Sequence, residues 1–216
     1  MPRRLTPLVT GEFYHVYNRG VEKRDIFTQP RDYKRFVQAS FYYQFLGPKP
    51  SFSKFSKSQI TTFKPLNENK ILEIICYCLM PNHFHFLVRQ LKEGGISNFT
   101  SQLTNSYTKY FNTKYNRVGP LLQGPFKALR VESNEQLLHL SRYIHLNPIV
   151  SGLVTSLNQY PWSSYKDYQN ENKSFCAIKE VLNFFPSSKK YLEFTKDQIE
   201  YGITLEILKH QALDDI

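Results

Sequence analysis

The stretch Leu79-Met80-Pro81-Asn82-His83-Phe84-His85-Phe86-Leu87-Val88-Arg89 sets the frame for the whole chain. It places two histidines two residues apart in an apolar run rich in Phe, Leu and Val, a composition that predicts a buried strand. Successive strand side chains point to opposite faces, so His83 and His85 share one face while Phe84 and Phe86 share the other. Two imidazoles about 7 Å apart along one strand can converge on a single ion.

Working outward, Ile71 to Cys78 reads as a partner strand, with Pro81-Asn82 in the turn between them. Gly11 to Gly20 predicts a first strand, followed by a basic turn holding Arg19, Lys23 and Arg24. Apolar positions near helical spacing predict one helix from Arg31 to about Leu46, stopped by Gly47-Pro48, and another from about Ser97 to Tyr115. Phe126 to Val131 predicts a last strand. Ser133-Asn134-Glu135-Gln136 fits a capping box that opens a third helix, expected to end near Asn147 before Pro148. Residues 48 to about 70 form a long basic loop rich in Ser, Lys and Pro.

The order strand, helix, strand, strand, helix, strand predicts an α+β protein. Its expected core is a ferredoxin-like split βαβ antiparallel sheet with helices on one face, plus a C-terminal, mostly helical extension. The expected division is a domain over 1–150, carrying the basic loop as an insertion, and an extension over 151–216 packed on it.

Composition narrows the function. The 216 residues carry 28 Lys and Arg against 18 Asp and Glu, a formal charge of +10 that favours polyanionic partners, chiefly nucleic acid. Fifteen Tyr and 17 Phe interleaved with those cations suit stacking on unpaired bases. Three cysteines do not make a disulfide framework. The N-terminal residues lack the apolar stretch of a signal peptide, and no run reaches the length of a membrane span. A cytoplasmic protein with no membrane partner is expected, as monomer or homodimer.

The third helix supplies the other half of a site. Leu137, Leu140 and Ile144 form the stripe expected to face the sheet, and His139, Tyr143 and Asn147 run along its flank at i, i+4, i+8. An amide oxygen from Asn147 can complete a metal site begun by His83 and His85, with Tyr143 beside the ion. That set points to phosphoryl transfer on a nucleic-acid strand. A tyrosine hydroxyl, with its reference pKa of about 10, is a weak nucleophile that a divalent ion helps by polarising the phosphodiester.

Tyr77-Cys78-Leu79-Met80-Pro81-Asn82-His83-Phe84-His85-Phe86-Leu87-Val88 resembles the His-hydrophobic-His (HUH) motif of single-tyrosine transposases, the insertion-sequence-200-like family. Tyr14-His15-Val16-Tyr17-Asn18-Arg19-Gly20, with Arg24-Asp25-Ile26-Phe27, is similar to that family's first strand and turn. Arg142-Tyr143-Ile144-His145-Leu146-Asn147-Pro148 and Ser151-Gly152-Leu153-Val154 resemble the nucleophile helix of its branch associated with repetitive extragenic palindromes. The resemblance spans roughly residues 8 to 168. It implies a metal-dependent nuclease and strand transferase acting on single-stranded or hairpin DNA. Tyr143 would be the nucleophile taking the 5′ phosphate, His83, His85 and Asn147 the ligands, and Mg²⁺ or Mn²⁺ the ion. The family commonly has Arg after Gln123-Gly124, where this chain has Pro125.

The residues expected to contact DNA are Arg19, Lys23, Arg24, Lys127 and Arg130, at strand ends or turns near the cleft. Two rival readings stand beside the enzyme. One is a non-catalytic nucleic-acid-binding module on the same sheet. The other is a zinc-stabilised fold in which a Met80-Pro81 turn sets Cys78 opposite His83 and Cys76 opposite His85. His15 is expected to orient a neighbour in the first strand and to have no catalytic role. His139 and His145 are expected at the helix surface or behind the ligands.

Overall fold

The computed structural model describes residues 7–46, 52–54, 67–171 and 174–204. Most of the expected basic loop and the last twelve residues of the extension lie outside them. The sheet contains β1 (Phe13–Arg19), β2 (Leu72–Met80), β3 (His83–Gln90) and β4 (Lys127–Arg130), in the order β2-β3-β1-β4 with every neighbouring pair antiparallel. Helix α1 (Pro30–Tyr43) joins β1 to β2, and α2 (Gly95–Lys114) joins β3 to β4. This is the ferredoxin-like arrangement expected from the order of elements.

The alternation along β1 decides which side is core. Tyr14, Val16 and Asn18 are buried, whereas Phe13, His15 and Tyr17 are only partly so. On the buried side α1 and α2 close over β3: Phe36 lies 5.1 Å from Phe84 and 4.9 Å from Tyr107, and Phe99 lies 5.8 Å from Phe86, centroid to centroid. Asp32 pins the two helices together. Its fully buried carboxylate accepts from Tyr110 (2.9 Å), Tyr115 (2.7 Å) and Lys114 (2.6 Å). Burial alone would raise its pKa; the Lys114, Tyr115, Tyr110 and Thr28 donors outweigh it and hold the carboxyl below the usual range.

Gly94-Gly95 shows why α2 begins where it does. Gly94 takes φ +66°, and a Cβ on Gly95 would stand 2.3 Å from the Ile71 carbonyl oxygen. The helix therefore opens two residues before the expected Ser97.

Helix α3 (Asn134–Val150) lies across the opposite face, over β2 and β3. Ser133 caps it by accepting from Gln136 N at 3.1 Å, while the Gln136 side chain bonds Glu132 N. It does not stop before Pro148. That residue is buried within the last turn, and its carbonyl accepts from Leu153 N and Val154 N as the chain turns away. A proline so near the C-terminal end removes one helical donor without breaking the rod. Of the expected stripe, Leu137 and Ile144 are buried and Leu140 is half-buried.

The segment after α3 shares the same hydrophobic core. Residues 162–164 run along the outer edge of β2, with Leu79 N bonded to Trp162 O (2.9 Å) and Ser164 N to Tyr77 O (3.0 Å). Trp162 stacks on Tyr33 of α1 at 4.7 Å, and Phe175 on Tyr77 at 5.7 Å. The extension thereby covers an edge that would otherwise present unpaired backbone. It continues through the short helices α4 (Tyr165–Asn170) and α5 (Lys179–Leu182) to α6 (Ser188–Lys196). Among the described residues no helix is long and apolar enough to cross a membrane.

Candidate active site

Cross-strand pairing builds the site. Directly opposite residues share a face, and β1 pairs Tyr17 with His85 and Arg19 with His83, while β4 pairs Lys127 with Tyr17. The face bearing His83 and His85 therefore also carries His15, Tyr17, Arg19 and Lys127. Helix α3 crosses the same face, and Tyr143 looks over its border, 49% exposed, with its ring centroid 5.7 Å from His85 and 6.2 Å from His15.

Beyond the strand ends, two turns and a loop are tied together. Gly20 N bonds Asn82 O (2.7 Å), the Asn82 side chain donates to Lys23 O (3.2 Å), and Gln123 N bonds Arg19 O (2.8 Å). A Cβ on Gly20 would lie 2.1 Å from the Arg24 carbonyl oxygen, so only glycine lets the basic turn fold back this tightly. Glu22 and Lys23 both adopt left-handed backbone, φ +55° and +57°. Such backbone is sparsely populated and persists where the surrounding structure holds it.

The two histidine rings are 4.9 Å apart and nearly perpendicular. His83 Nδ1 lies 2.6 Å from Asn82 Oδ1, and His85 Nδ1 lies 2.8 Å from His15 Nε2. Each ring thus has its Nδ1 engaged by a neighbouring side chain, the way second partners ordinarily orient metal-binding imidazoles. Burial pushes His85 well below its ordinary pKa, and the neighbouring His83 and His15 push the same way; burial takes His15 down to about 4. His85 and His15 are therefore neutral at pH 7, and a neutral imidazole keeps a lone pair for coordination. Asn147 donates its Nδ2 to Tyr143 O at 2.8 Å, so its Oδ1 is the atom left for a ligand. The donor set fits a divalent ion, with the substrate completing it. Among the described residues no three His, Cys, Asp or Glu side chains converge as a closed metal site.

Two cavities meet at His83 and Tyr143. The first, about 590 Å³, carries Arg19, Lys23 and Lys127 together with Tyr17 and His85. The second, about 390 Å³, lies on the α3 side and includes Asn147 and Arg142. His85 lines only the first and Asn147 only the second, so the three expected ligands straddle the junction. Pro125 lines the first cavity at the position where the resemblance leads one to expect Arg.

Two expected DNA contacts fall elsewhere. Arg130 sits opposite Tyr14, on the face away from the histidines, and pairs with Glu12 at 3.0 Å. Arg24 pairs with Glu22 at 3.1 Å and lines neither cavity.

The zinc arrangement fails on register. The two-residue turn is Pro81-Asn82, so Met80 pairs with His83, Cys78 with His85 and Cys76 with Leu87. Burial also pushes both thiols far up, which disfavours the thiolate that zinc needs. His139 is at the surface, 2.6 Å from Arg142. His145 is not a surface group: it is fully buried, 2.7 Å from Tyr191 Oη and 2.9 Å from Ser164 Oγ, and ties α3 to the extension. Neither the His15 to His85 contact nor the Asn82 to His83 contact was named by the sequence.

Residues 51–147 match the family model described as transposase, IS200 like. These residues are similar to an IS200-like transposase domain. The matched segment takes in β2, β3, α2, β4 and most of α3. Among solved structures, a REP-associated tyrosine transposase bound to a REP hairpin aligns over 84% of this chain and 93% of its own, at TM-score 0.54 and 16% identity, a likeness of fold. A candidate transposase from Deinococcus radiodurans R1 aligns over 66% of this chain and 95% of its own at 12% identity, with a TM-score of only 0.38. No curated protein matches the chain.

Proposed function

We propose that this chain is an IS200-like transposase that cleaves and rejoins single-stranded or hairpin DNA through a 5′-phosphotyrosine on Tyr143, with a divalent ion, Mg²⁺ or Mn²⁺, held by His83, His85 and Asn147. The observation that carries the reading is the position of Tyr143. It stands half exposed where the two cavities join, within ring contact of His85.

Tyr143 Oη attacks the phosphorus, the bond from phosphorus to the 3′ oxygen breaks, and that oxygen takes up a proton and leaves as a 3′ hydroxyl. The phosphate stays on Tyr143 as an ester. Attack on it by the 3′ hydroxyl of a DNA end reverses the step and joins the strands, so no nucleotide cofactor is consumed. The ion supplies Lewis-acid polarisation of the phosphodiester. His83 and His85 would hold it through Nε2 and Asn147 through Oδ1, with His15 and Asn82 fixing the two rings. Imidazoles favour borderline metals and phosphate suits Mg²⁺, which is why both ions are named. Arg19, Lys23 and Lys127 take the phosphates of the bound strand. The hairpin bound by the structural neighbour supports hairpin DNA as the substrate class.

The test is a denaturation-resistant adduct between the protein and labelled hairpin DNA in Mg²⁺ or Mn²⁺. The wild type forms it and Tyr143→Phe does not. Absence of an adduct with either metal overturns the proposal, and leaves the non-catalytic binding module as the better reading.

A further inference from the structure

The first cavity, lined by three cations, suits a phosphate chain. The second has a different character. It lies between α3 and the helical segment at 199–204, walled by Met80, Leu146 and Val150, with Tyr201 at its rim. Its polar lining is His139, Arg142, Ser151 and Gln198, together with His83, Tyr143 and Asn147 of the candidate site. The Arg142 guanidinium is fixed 4.2 Å above the Phe194 ring and donates to the Phe194 carbonyl at 3.3 Å, so the extension sets it in place. Among the described residues no carboxylate lines either cavity. A slot of about 390 Å³ with an apolar wall of Met80, Leu146 and Val150 and polar groups beside it fits one planar heteroaromatic ring.

We propose that this second cavity is a nucleobase subsite. It takes the unpaired base of a nucleotide flanking the scissile phosphate, while the phosphates on the other side of that bond run over Arg19, Lys23 and Lys127. Two side chains common to both cavities, His83 and Tyr143, fix where the strand crosses from one to the other. Tyr201 is 61% exposed, so its ring is open to stack on the base without repacking the protein. A nucleotide whose base must leave its stack to enter the slot selects for single-stranded substrate at the cleaved bond. The extension would then be a specificity element as well as an edge cover. The identity of the cleaved phosphate rests on the proposed role of Tyr143; the slot's preference for a base does not.

The experiment reads binding, so it is independent of cleavage. Metal-free wild-type protein is titrated with hairpin oligonucleotides carrying 2-aminopurine, or an abasic site, at successive positions along the single-stranded flank. We expect one position at which 2-aminopurine fluorescence changes on binding and an abasic site weakens affinity about tenfold, the scale of one base–aromatic stack. Tyr201→Ala removes both effects at that position, and Tyr201→Phe, which keeps the ring, restores them. Ser151→Trp, an exposed substitution that fills the slot, acts like Tyr201→Ala. The proposal is overturned if no position responds, or if Tyr201→Ala and Ser151→Trp respond as the wild type does. An adduct on Tyr143 without a responsive position sinks the subsite alone; a responsive position without an adduct sinks the transferase reading alone.

Discussion

His15 and His85 lie on neighbouring strands as diagonal partners, with His15 Nε2 and His85 Nδ1 2.8 Å apart and their rings stacked at 5.0 Å. The contact fixes the plane of the His85 ring and leaves its Nε2 for the ion. His15→Ala should therefore weaken Mn²⁺ binding by about 10- to 100-fold, the usual cost of losing a group behind a metal ligand. Calorimetric titration of the protein with Mn²⁺ measures this without DNA. Circular dichroism should stay unchanged, because His15 is only partly buried. Unaltered Mn²⁺ affinity would deny His15 this positioning role.

His83→Ala should separate chemistry from binding. The ring lines both cavities beside Tyr143 and is assigned to hold the ion, so its loss should abolish cleavage and leave hairpin affinity within about twofold. A rate measurement beside a filter-binding curve decides the point. A matching loss of affinity would make His83 a structural residue.

Lys127 and Arg130 should behave differently although they lie three residues apart. Lys127 faces the histidine side and its Nζ sits 6.0 Å from the Tyr17 ring; Arg130 points to the other face and is paired with Glu12. Each phosphate contact contributes about 0.7 to 0.9 to the slope of log K against log salt. Lys127→Ala should reduce that slope by about this amount, and Arg130→Ala should leave it as it is. Equal effects of the two would contradict the assignment of faces.

The His145 cluster makes folding pH-dependent. Burial takes its pKa from 6.5 down to about 3. Between those values the unfolded chain binds a proton that the folded chain refuses. Stability is therefore fully present above about pH 6.5 and falls as pH drops toward 3, by up to ~1.4 kcal/mol per pH unit. His15 and His85, also lowered, act in the same direction. Urea unfolding at pH 7.5, 6 and 5 should show a declining midpoint, with a shallower decline in His145→Gln. A flat wild-type profile would contradict the buried neutral imidazole.

What the sequence revealed depended on how local the signal was. The strand alternation around His83 and His85 and the helical spacing of Tyr143 and Asn147 are short-range, and from them the sequence could propose residues that the fold brings to one pair of adjoining cavities. Parity would have placed Arg130 correctly, since residues three apart on a strand face opposite ways. Helical geometry likewise turns His145 about 200° from Tyr143, which puts it in the core. By contrast, Trp162 covering the edge of β2 and His15 reaching His85 are contacts between distant segments, with no periodicity to announce them. The zinc pairing failed for a subtler reason: a one-residue change in turn position moves each cysteine to a different cross-strand partner.

The central claim is that Tyr143 carries the DNA. Mass spectrometry of the trapped adduct tests it directly. Trypsin cuts after Arg142 and again after Lys166, so Tyr143 shares its peptide with Tyr160 and Tyr165, both buried. Fragmentation should place the nucleotide phosphate on Tyr143 alone. Its appearance on any other tyrosine would contradict the account.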